Sequence, residues 1–301
     1  MTTANKVDAM AYQRTLTAAV SQIASEVGDV DANLAKHLAV IDEARAKSAD
    51  VLLFPEVSLT GHTAAREVLR LAMRRDAPAI RQLAEAAGDT LVIFGLFEEG
   101  PSAQFYNSAF AVRNGRITFI HRKINVPTYG LLEEGKHFAT GRYVECFPVA
   151  DPWRGGVLIC ADAWNPALVW LAALHGATCL FVPISSAVEA VGAEFDNPGG
   201  WDTTIRHCAM MYGMPVLMAN RTGMEDDLTF WGDSRILDPF GRELARAGTE
   251  ETLIMAELDF DAIRKARYLL PTVRDSNLSL VVRETNRLSD NLGIPDLVRR
   301  D

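Results

Sequence analysis

The sequence predicts an α/β protein in which two β-sheets pack face to face with helices on the outside. Short apolar runs rich in β-branched residues alternate with segments of helical periodicity and with hairpin signals. The chain has 301 residues, 49% of them hydrophobic and 23% charged, which is enough apolar mass for one large core. We therefore expect residues 1–301 to form a single domain.

The first part of the chain predicts a strand, a helix and a second strand. An apolar run at 16–23 is the first strand, and Asp31 is a candidate N-cap for the helix, whose apolar residues recur at helical spacing. The run Val-Leu-Leu-Phe at 51–54 has the character of a fully buried strand. This places Glu56 at the carboxyl end of that strand.

Two further elements present polar residues in the same way. Asn114-Gly115 lies between two alternating runs, which is a strong signal for a hairpin that ends just before Lys123. The apolar run 156–159 leads into Cys160, and Asn165-Pro166 then favours the start of a helix, so Cys160 is predicted at a strand-to-helix bend. The other predicted elements are strands at 91–97, 178–183, 216–220 and 252–258, helices at 77–87 and 201–212, and a hairpin around 238–241.

Composition narrows the class of partner. The net charge of -9 and the lack of a dense Lys/Arg run argue against nucleic acid and against an anionic membrane surface, and they favour a small-molecule substrate. The N-terminal residues 1–16 have no apolar stretch of signal-peptide length, and no segment has the roughly 18 to 20 apolar residues of a membrane span. We therefore expect a cytoplasmic protein that does not enter membranes.

The four cysteines are widely spaced, without a CxxC pair or a histidine at metal-ligand spacing. They suggest neither a disulfide framework nor a metal site. A cysteine that ends an apolar strand is more often a small core residue than a nucleophile. Cys179 fits that description within its apolar strand. Cys146 and Cys208 show no feature that distinguishes them from such core residues.

Glu56, Lys123 and Cys160 all follow buried strands, and sites in α/β proteins collect at the carboxyl ends of strands. A nearby base, a cation and a helix N-terminus would lower the pKa of a cysteine and supply thiolate. Glu56 is the candidate base. Lys123, with the backbone N–H of Ala161, is the candidate oxyanion hole for attack on an amide carbonyl. Taken alone, each side chain is more often an ordinary surface or core residue, so only their combination points to catalysis.

In order along the chain, FPE, HRK and LICAD followed by WNP and LHGA closely resemble the motifs of the nitrilase superfamily of carbon–nitrogen hydrolases, over about residues 14–270. The resemblance implies that Glu56, Lys123 and Cys160 form the catalytic triad and that the fold is a four-layer α-β-β-α sandwich. It implies a homodimer or higher homo-oligomer, with the tail from about 272 to 301 packing on a partner subunit. Supporting matches are Gln22, Gly61, the stretch Asn220-Arg221-Thr222-Gly223, and the stretch from Trp231 to Gly241.

The resemblance also implies a second glutamate that positions the substrate and the lysine. Glu134 fits the motif Glu-x-x-aromatic-Phe-x-x-Gly, with His137 in place of the usual aromatic residue, and its neighbour Glu133 is the rival. Substrate-binding residues are predicted to be Ala161, Trp164, Ser185 and Ser186, with Phe195 and Trp201 close by.

The resemblance implies an amidase that converts a small carboxamide to a carboxylic acid and ammonia through a cysteine thioester, without metal or organic cofactor. The residues after Cys160 fully match none of the patterns usual in nitrilases, amidases and carbamoylases, and they are most similar to glutaminase domains of NAD synthetases. Because the chain ends at Asp301, no synthetase domain is expected. Nitrile hydrolysis and N-carbamoyl cleavage remain alternatives, as does a catalytically silent binding protein. A Cys-His enzyme using His175 or His207 is the other rival.

Overall fold

The computed structural model describes residues 12–292. This part of the chain alternates strands and helices, as the sequence predicts. Its strands are β1 (Thr15–Gln22), β2 (Val51–Leu53), β3 (Leu91–Glu99), β4 (Phe105–Arg113), β5 (Arg116–Arg122), β6 (Cys146–Ala150), β7 (Trp153–Val157), β8 (Cys179–Pro183), β9 (Val216–Ala219), β10 (Thr222–Glu225), β11 (Leu228–Trp231), β12 (Arg235–Leu237), β13 (Glu243–Arg246) and β14 (Thr252–Asp259). The helices are α1 (Val30–Ala46), α2 (Val68–Leu71), α3 (Pro78–Ala87), α4 (Pro166–Leu174), α5 (Asn197–Tyr212), α6 (Phe260–Leu269) and α7 (Leu278–Asn291).

The strands form two six-stranded sheets and a separate two-stranded ribbon of β10 and β11. The first sheet has the order β14-β1-β2-β3-β4-β5 and the second β13-β12-β9-β8-β7-β6. In the first sheet β1, β2 and β3 are parallel, and in the second β7, β8 and β9 are parallel. Because β4 is antiparallel to both β3 and β5, the carboxyl end of β5 lies at the same edge as those of β2 and β3.

Three apolar layers hold the sheets and helices together. Leu16, Ala18 and Val20 of β1 pack between the two sheets, with inward residues of β7, β8 and β9. The opposite face of the first sheet packs against α1 and α3, and the outer face of the second packs against α4 and α5. Strands with both faces buried read as continuous apolar runs, as at 51–54. This is the predicted α-β-β-α sandwich.

Several predicted boundaries shift in the structure. Asp29, rather than Asp31, caps α1, because its Oδ1 accepts the Ala32 N–H at 3.0 Å. The strand predicted at 156–159 is β7, which begins and ends earlier. Strand β6, the ribbon β10–β11 and helix α6 were not predicted. The tail from about 272 contains α7, an amphipathic helix whose side chains are not buried in this chain. Residues 293–301 of that tail lie outside the described residues.

Across residues 12–292, none of the helices combines the length and the apolar character that crossing a membrane requires. The N-terminal segment 1–11, on which the expectation about a signal peptide partly rests, lies outside the described residues.

Candidate active site

Lys123 lies between two carboxylates at the edge of the first sheet. Its Nζ donates to Glu56 Oε1 at 2.7 Å and to Glu134 Oε1 at 2.6 Å. The lysine is fully buried, and the glutamates are exposed by only 1% and 8%. An ammonium in such surroundings is stable only when its charge is paired and hydrogen-bonded. The structure therefore brings three sequence-predicted site residues into direct contact.

Hydrogen bonds from β4 and from the segment after β8 hold Glu56 in one orientation. Glu56 Oε1 also accepts from Asn107 Nδ2 at 2.8 Å, and Oε2 accepts from the Ser185 backbone N–H at 2.8 Å. Asn107 Nδ2 reaches Glu134 Oε2 as well, at 3.3 Å. Since Ser185 follows β8 of the second sheet, this carboxylate joins the carboxyl ends of strands from both sheets.

Cys160 occupies a strained bend three residues after β7 ends. Its φ of +46° lies in the left-handed region that residues with a side chain seldom adopt. A single 3₁₀ turn, Cys160–Asp162, follows it, and α4 begins only at Pro166. The predicted bend is confirmed, but the helix at the cysteine is this short turn rather than α4.

Asp162 fastens the Cys160 bend to the Lys123 segment. The carboxylate is fully buried. Its Oδ1 accepts from the backbone N–H groups of Ile124 and Asn125 at 3.0 and 2.7 Å, and its Oδ2 accepts from Ile159 N–H at 3.2 Å and lies 3.0 Å from His121 Nε2. One side chain thus fixes the segment before the cysteine relative to the segment after the lysine.

The sulfur of Cys160 is half-buried and lies within electrostatic range of Glu56, Lys123 and Glu134. Burial and the Glu56 carboxylate raise the pKa of the Cys160 thiol well above its ordinary value, against the opposing effect of Lys123. The expectation that the base and the cation would supply a ready thiolate is wrong, because burial and the Glu56 charge outweigh the effect of Lys123 on this pKa. The resting side chain is a thiol.

Glu133 and Glu134 differ in burial and in the cations that they contact. Burial raises the pKa of Glu134 to about 7, against the opposing charge of Lys123. Burial alone would lower the pKa of Lys123, but the charges of Glu134 and Glu56 raise it well above its ordinary value. Glu133 is exposed and pairs with Lys136 and Arg66 instead. Glu134 is thus the acid that the structure places beside the lysine.

A cavity of about 170 Å³ opens beside these residues. Cys160, Glu134 and all four predicted substrate-binding residues line it, namely Ala161, Trp164, Ser185 and Ser186. Phe195 and Trp201 are also in its wall, as are Tyr129 and Leu132. The edge of Trp164 packs against Phe195 and Trp201, with ring centroids 5.9 and 5.2 Å apart.

Two polar residues at the site were not identified from the sequence. Asn107 lies buried in β4, and an amide within an apolar strand is a signal for a structural or functional contact. His62 lines the cavity as well, one residue after Gly61. Burial lowers the pKa of His62 to about 4, helped by the charges of Lys123 and Arg221 and opposed by Glu56, so its ring is neutral at pH 7.

The motif Asn220-Arg221-Thr222-Gly223 supports the cavity wall from behind. Asn220 Oδ1 accepts from the Ser186 backbone N–H at 3.1 Å. Arg221 is buried and forms an ion pair with Glu225, whose carboxylate accepts from the backbone N–H groups of His62 and Thr63. The motif therefore orients both the segment after β8 and the segment that presents His62.

His175 and His207, the rivals for a Cys-His pair, are exposed and do not line the cavity. Residues 12–292 contain no group of three or more His, Cys, Asp or Glu side chains arranged to hold a metal ion.

Comparisons with known proteins agree with this architecture. Residues 17–268 match the family model described as carbon-nitrogen hydrolase. The chain is 31% identical to an (R)-stereoselective amidase of a Pseudomonas species, over 88% of this chain and 92% of the relative. It is 28% identical to a glutamine-dependent NAD(+) synthetase of Acinetobacter baylyi over 88% of this chain, and it spans only 49% of that relative's length. A carbon-nitrogen hydrolase from Helicobacter pylori G27 has the same fold, with a TM-score of 0.79, 24% identity, and coverage of 88% of this chain and 96% of that one.

The two-sheet fold and the match over residues 17–268 together define the family of this chain. The chain belongs to the carbon-nitrogen hydrolase family, within the nitrilase superfamily that its sequence motifs resemble.

Proposed function

We propose that this protein is an amidase that hydrolyses a small carboxamide to a carboxylic acid and ammonia, with Cys160 as nucleophile. The observation that carries the proposal is the buried Lys123 ammonium between Glu56 and Glu134, beside the cavity that the cysteine lines. The amidase named among the relatives supports the same reaction class. A buried charge with two partners at a cavity is the kind of perturbed group that marks active sites.

The first half of the reaction forms a thioester. As the Cys160 Sγ attacks the carbonyl carbon, Glu56 takes the thiol proton, so no free thiolate is required beforehand. The carbonyl oxygen becomes negative, and the Lys123 ammonium and the Ala161 backbone N–H stabilise it. When the carbon–nitrogen bond breaks, the proton on Glu56 passes to the nitrogen and ammonia leaves.

The second half hydrolyses the thioester. Glu56 takes a proton from a water molecule, whose oxygen attacks the carbonyl carbon. The tetrahedral intermediate collapses, the carbon–sulfur bond breaks, and the proton returns from Glu56 to the sulfur. The carboxylic acid leaves and the thiol is restored. Glu134 contributes by holding Lys123 in place and by presenting a carboxyl group to the cavity.

Ammonia release is the direct test. The purified protein is assayed with amides, nitriles and N-carbamoyl compounds, beside Cys160→Ala as a control for contaminating enzymes. We expect amides to release ammonia, Cys160→Ala to release none, and intact mass to show an acyl adduct with a slow substrate. Release from nitriles alone, or from N-carbamoyl compounds alone, would replace the amidase assignment, and no release from any of them would favour a silent binding protein.

The base is tested separately, because His62 also lines the cavity. Replacing Glu56 with Gln is expected to lower kcat by roughly a hundred- to ten-thousandfold, which is the contribution of a positioned general base. His62→Asn is the matched control and should retain most of the activity. The reverse result would assign the proton transfer to His62.

We also propose that the protein acts as a homodimer or higher homo-oligomer in which α7 packs on a second copy. The apolar side chains of α7 form a stripe at helical spacing and are exposed in the isolated chain: Leu278, Val281, Val282, Leu288 and, one residue beyond the helix, Leu292. Apolar stripes of this kind mark protein contacts.

A further inference from the structure

We infer that the cavity beside Cys160 selects an uncharged amide whose substituent is apolar or aromatic, and that the Ser185 hydroxyl is the additional polar contact to the amide group. This inference rests on the proposed amidase function and names its substrate class. It separates the protein from amide hydrolases that take charged substrates.

The wall of the cavity away from the reacting atoms is apolar. Trp164 and Phe195 form one aromatic corner, and Leu132 and Val191 lie in the same wall. Such a surface gains free energy by taking an apolar group out of water, roughly 25 cal/mol for each Å² buried. It offers nothing equivalent to a charged group.

Charged partners for a substrate are missing from this wall. Among the described residues that line it, none is Arg, Lys or Asp, and the Glu134 carboxyl is already bonded to Lys123. The His62 ring is neutral at pH 7, because burial lowers its pKa to about 4. A substrate carboxylate or ammonium, such as those of glutamine, would lose its water here without gaining a partner.

The two adjacent serines differ in what their hydroxyls already contact. Ser186 Oγ accepts from Asn197 Nδ2 and from Trp201 Nε1, both at 3.0 Å, so it holds the aromatic wall in place. Ser185 Oγ is buried, lines the cavity and has no hydrogen-bond partner. A buried hydroxyl without a partner costs free energy that a substrate can restore. The backbone N–H of Ser185 itself donates to Glu56, so the hydroxyl of the same residue lies close to the reacting atoms.

The volume of the cavity favours a small substituent beside the amide. Its volume of about 170 Å³ corresponds to roughly six water molecules and is smaller than typical drug-sized sites. A short branched chain or a single ring beside the amide is the substituent that this space accommodates.

The test uses amides of matched length and different charge: pentanamide, glutaramate, 4-aminobutanamide and glutamine, with phenylacetamide as the aromatic member. We expect kcat/KM for pentanamide or phenylacetamide to exceed that of each charged amide by at least about a hundredfold, because a charge buried without a partner is strongly disfavoured. Equal rates for pentanamide and glutaramate, or faster turnover of glutamine, would overturn the inference.

Two pairs of variants locate the selectivity. Phe195→Arg should raise the rate with glutaramate relative to pentanamide, and Phe195→Leu should not.

Ser185→Ala should lower kcat/KM for pentanamide by about tenfold, as expected for a lost hydrogen bond, without lowering the midpoint of thermal unfolding. Ser186→Ala should instead lower that midpoint. If Ser185→Ala leaves kcat/KM unchanged, the role of its hydroxyl is refuted.

A second measurement separates this inference from the proposed function. Each amide is tested for protection of Cys160 against iodoacetamide, read by mass spectrometry of the peptide that contains the cysteine. Protection requires binding but no turnover. If no amide releases ammonia, the amidase proposal fails, yet better protection by pentanamide than by glutaramate still supports the selectivity. Equal protection by both refutes it.

Discussion

At the scale of single residues, the site depends on how one buried ammonium shares its charge. Lys123 donates to Glu56 and to Glu134 within 2.7 Å, and the two carboxylates keep it protonated. Burial and the Glu56 carboxylate keep Cys160 a thiol by raising its pKa, and the Lys123 charge only partly opposes them. The geometry therefore favours proton transfer to Glu56 during attack over a preformed nucleophile.

The neighbouring glutamates allow a matched comparison. Glu134→Gln removes one of the two anions that hold Lys123, and we expect kcat to fall by about a hundredfold, the usual effect of a displacement of about 1 Å at the reacting centre. Glu133→Gln changes an exposed side chain with surface ion pairs and should stay within about twofold of wild type. Steady-state kinetics measure both. Similar losses in the two variants would contradict the distinction.

A buried histidine outside the site predicts how stability depends on pH. His37 is fully buried against Phe54, with its ring nitrogens bonded to Asn33 O and Ser58 Oγ. Burial lowers the pKa of His37 to about 4. In the unfolded chain this histidine binds a proton below about pH 6.5, whereas in the folded chain it does so only near pH 4. The free energy of unfolding therefore falls by about 3 kcal/mol in total as the pH decreases from about 6.5 to 4.

His37→Gln should therefore lose less stability over this interval than the wild type does, even if it is less stable at pH 7. Urea unfolding at pH 7, 5.5 and 4.5 measures the free energy of unfolding at each point. The exposed His175→Gln is the control and should follow the wild type. A His37→Gln profile parallel to that of the wild type would be evidence against this account.

At the scale of elements, close backbone approach determines where Glu56 lies. Gly95, in the middle of β3, faces the turn that carries this glutamate. A Cβ added at Gly95 would lie 2.2 Å from Val57 N and 2.8 Å from the Glu56 carbonyl carbon. Backbone cannot move aside as a flexible side chain does, so only glycine permits the turn to pack on the strand.

Gly95→Ala is consequently expected to displace the Glu56 turn and to lower kcat by about a hundredfold. Gly156→Ala provides a matched control in β7, since a Cβ there would meet only side-chain carbons at 3.4 Å or more. It should keep most of the activity. Both variants are compared by kcat and by thermal unfolding, and full activity of Gly95→Ala would rule out the steric account.

At the scale of the whole molecule, α7 extends from the sandwich without burying its apolar stripe. We expect Val281→Asp to dissociate the proposed dimer, because it places a charge in the contact. Ser279→Asp adds the same charge away from the stripe and should leave the assembly intact. Size-exclusion chromatography with light scattering measures the mass. A wild-type protein that is monomeric at all concentrations would disprove this role of α7.

Much of the fold was predictable because local patterns and long-range packing agree. The run at 51–54, the Asn114-Gly115 hairpin and the Asn165-Pro166 helix start each depend on neighbouring residues, and the structure contains all three. The ribbon β10–β11 and strand β6 were missed although both belong to local hairpins, because their connections, Asp226-Asp227 and Asp151-Pro152, lack the Asn-Gly or Asp-Gly signal of a two-residue turn. Likewise α6 and α7 were not predicted, although the side chains of Asp259 and Asn277 cap their N-termini.

The sequence by itself determined the order of strands and helices, the family, and which polar residues follow buried strands, because these properties depend on residue type and spacing along the chain. Only the tertiary structure decided that Glu134 rather than Glu133 contacts Lys123 and that the Cys160 sulfur remains protonated. It also decided that the Ser185 hydroxyl has no hydrogen-bond partner, whereas the Ser186 hydroxyl accepts hydrogen bonds from its neighbours. Burial and the balance of nearby charges settle each of these, and both arise only when distant segments of the chain are brought together.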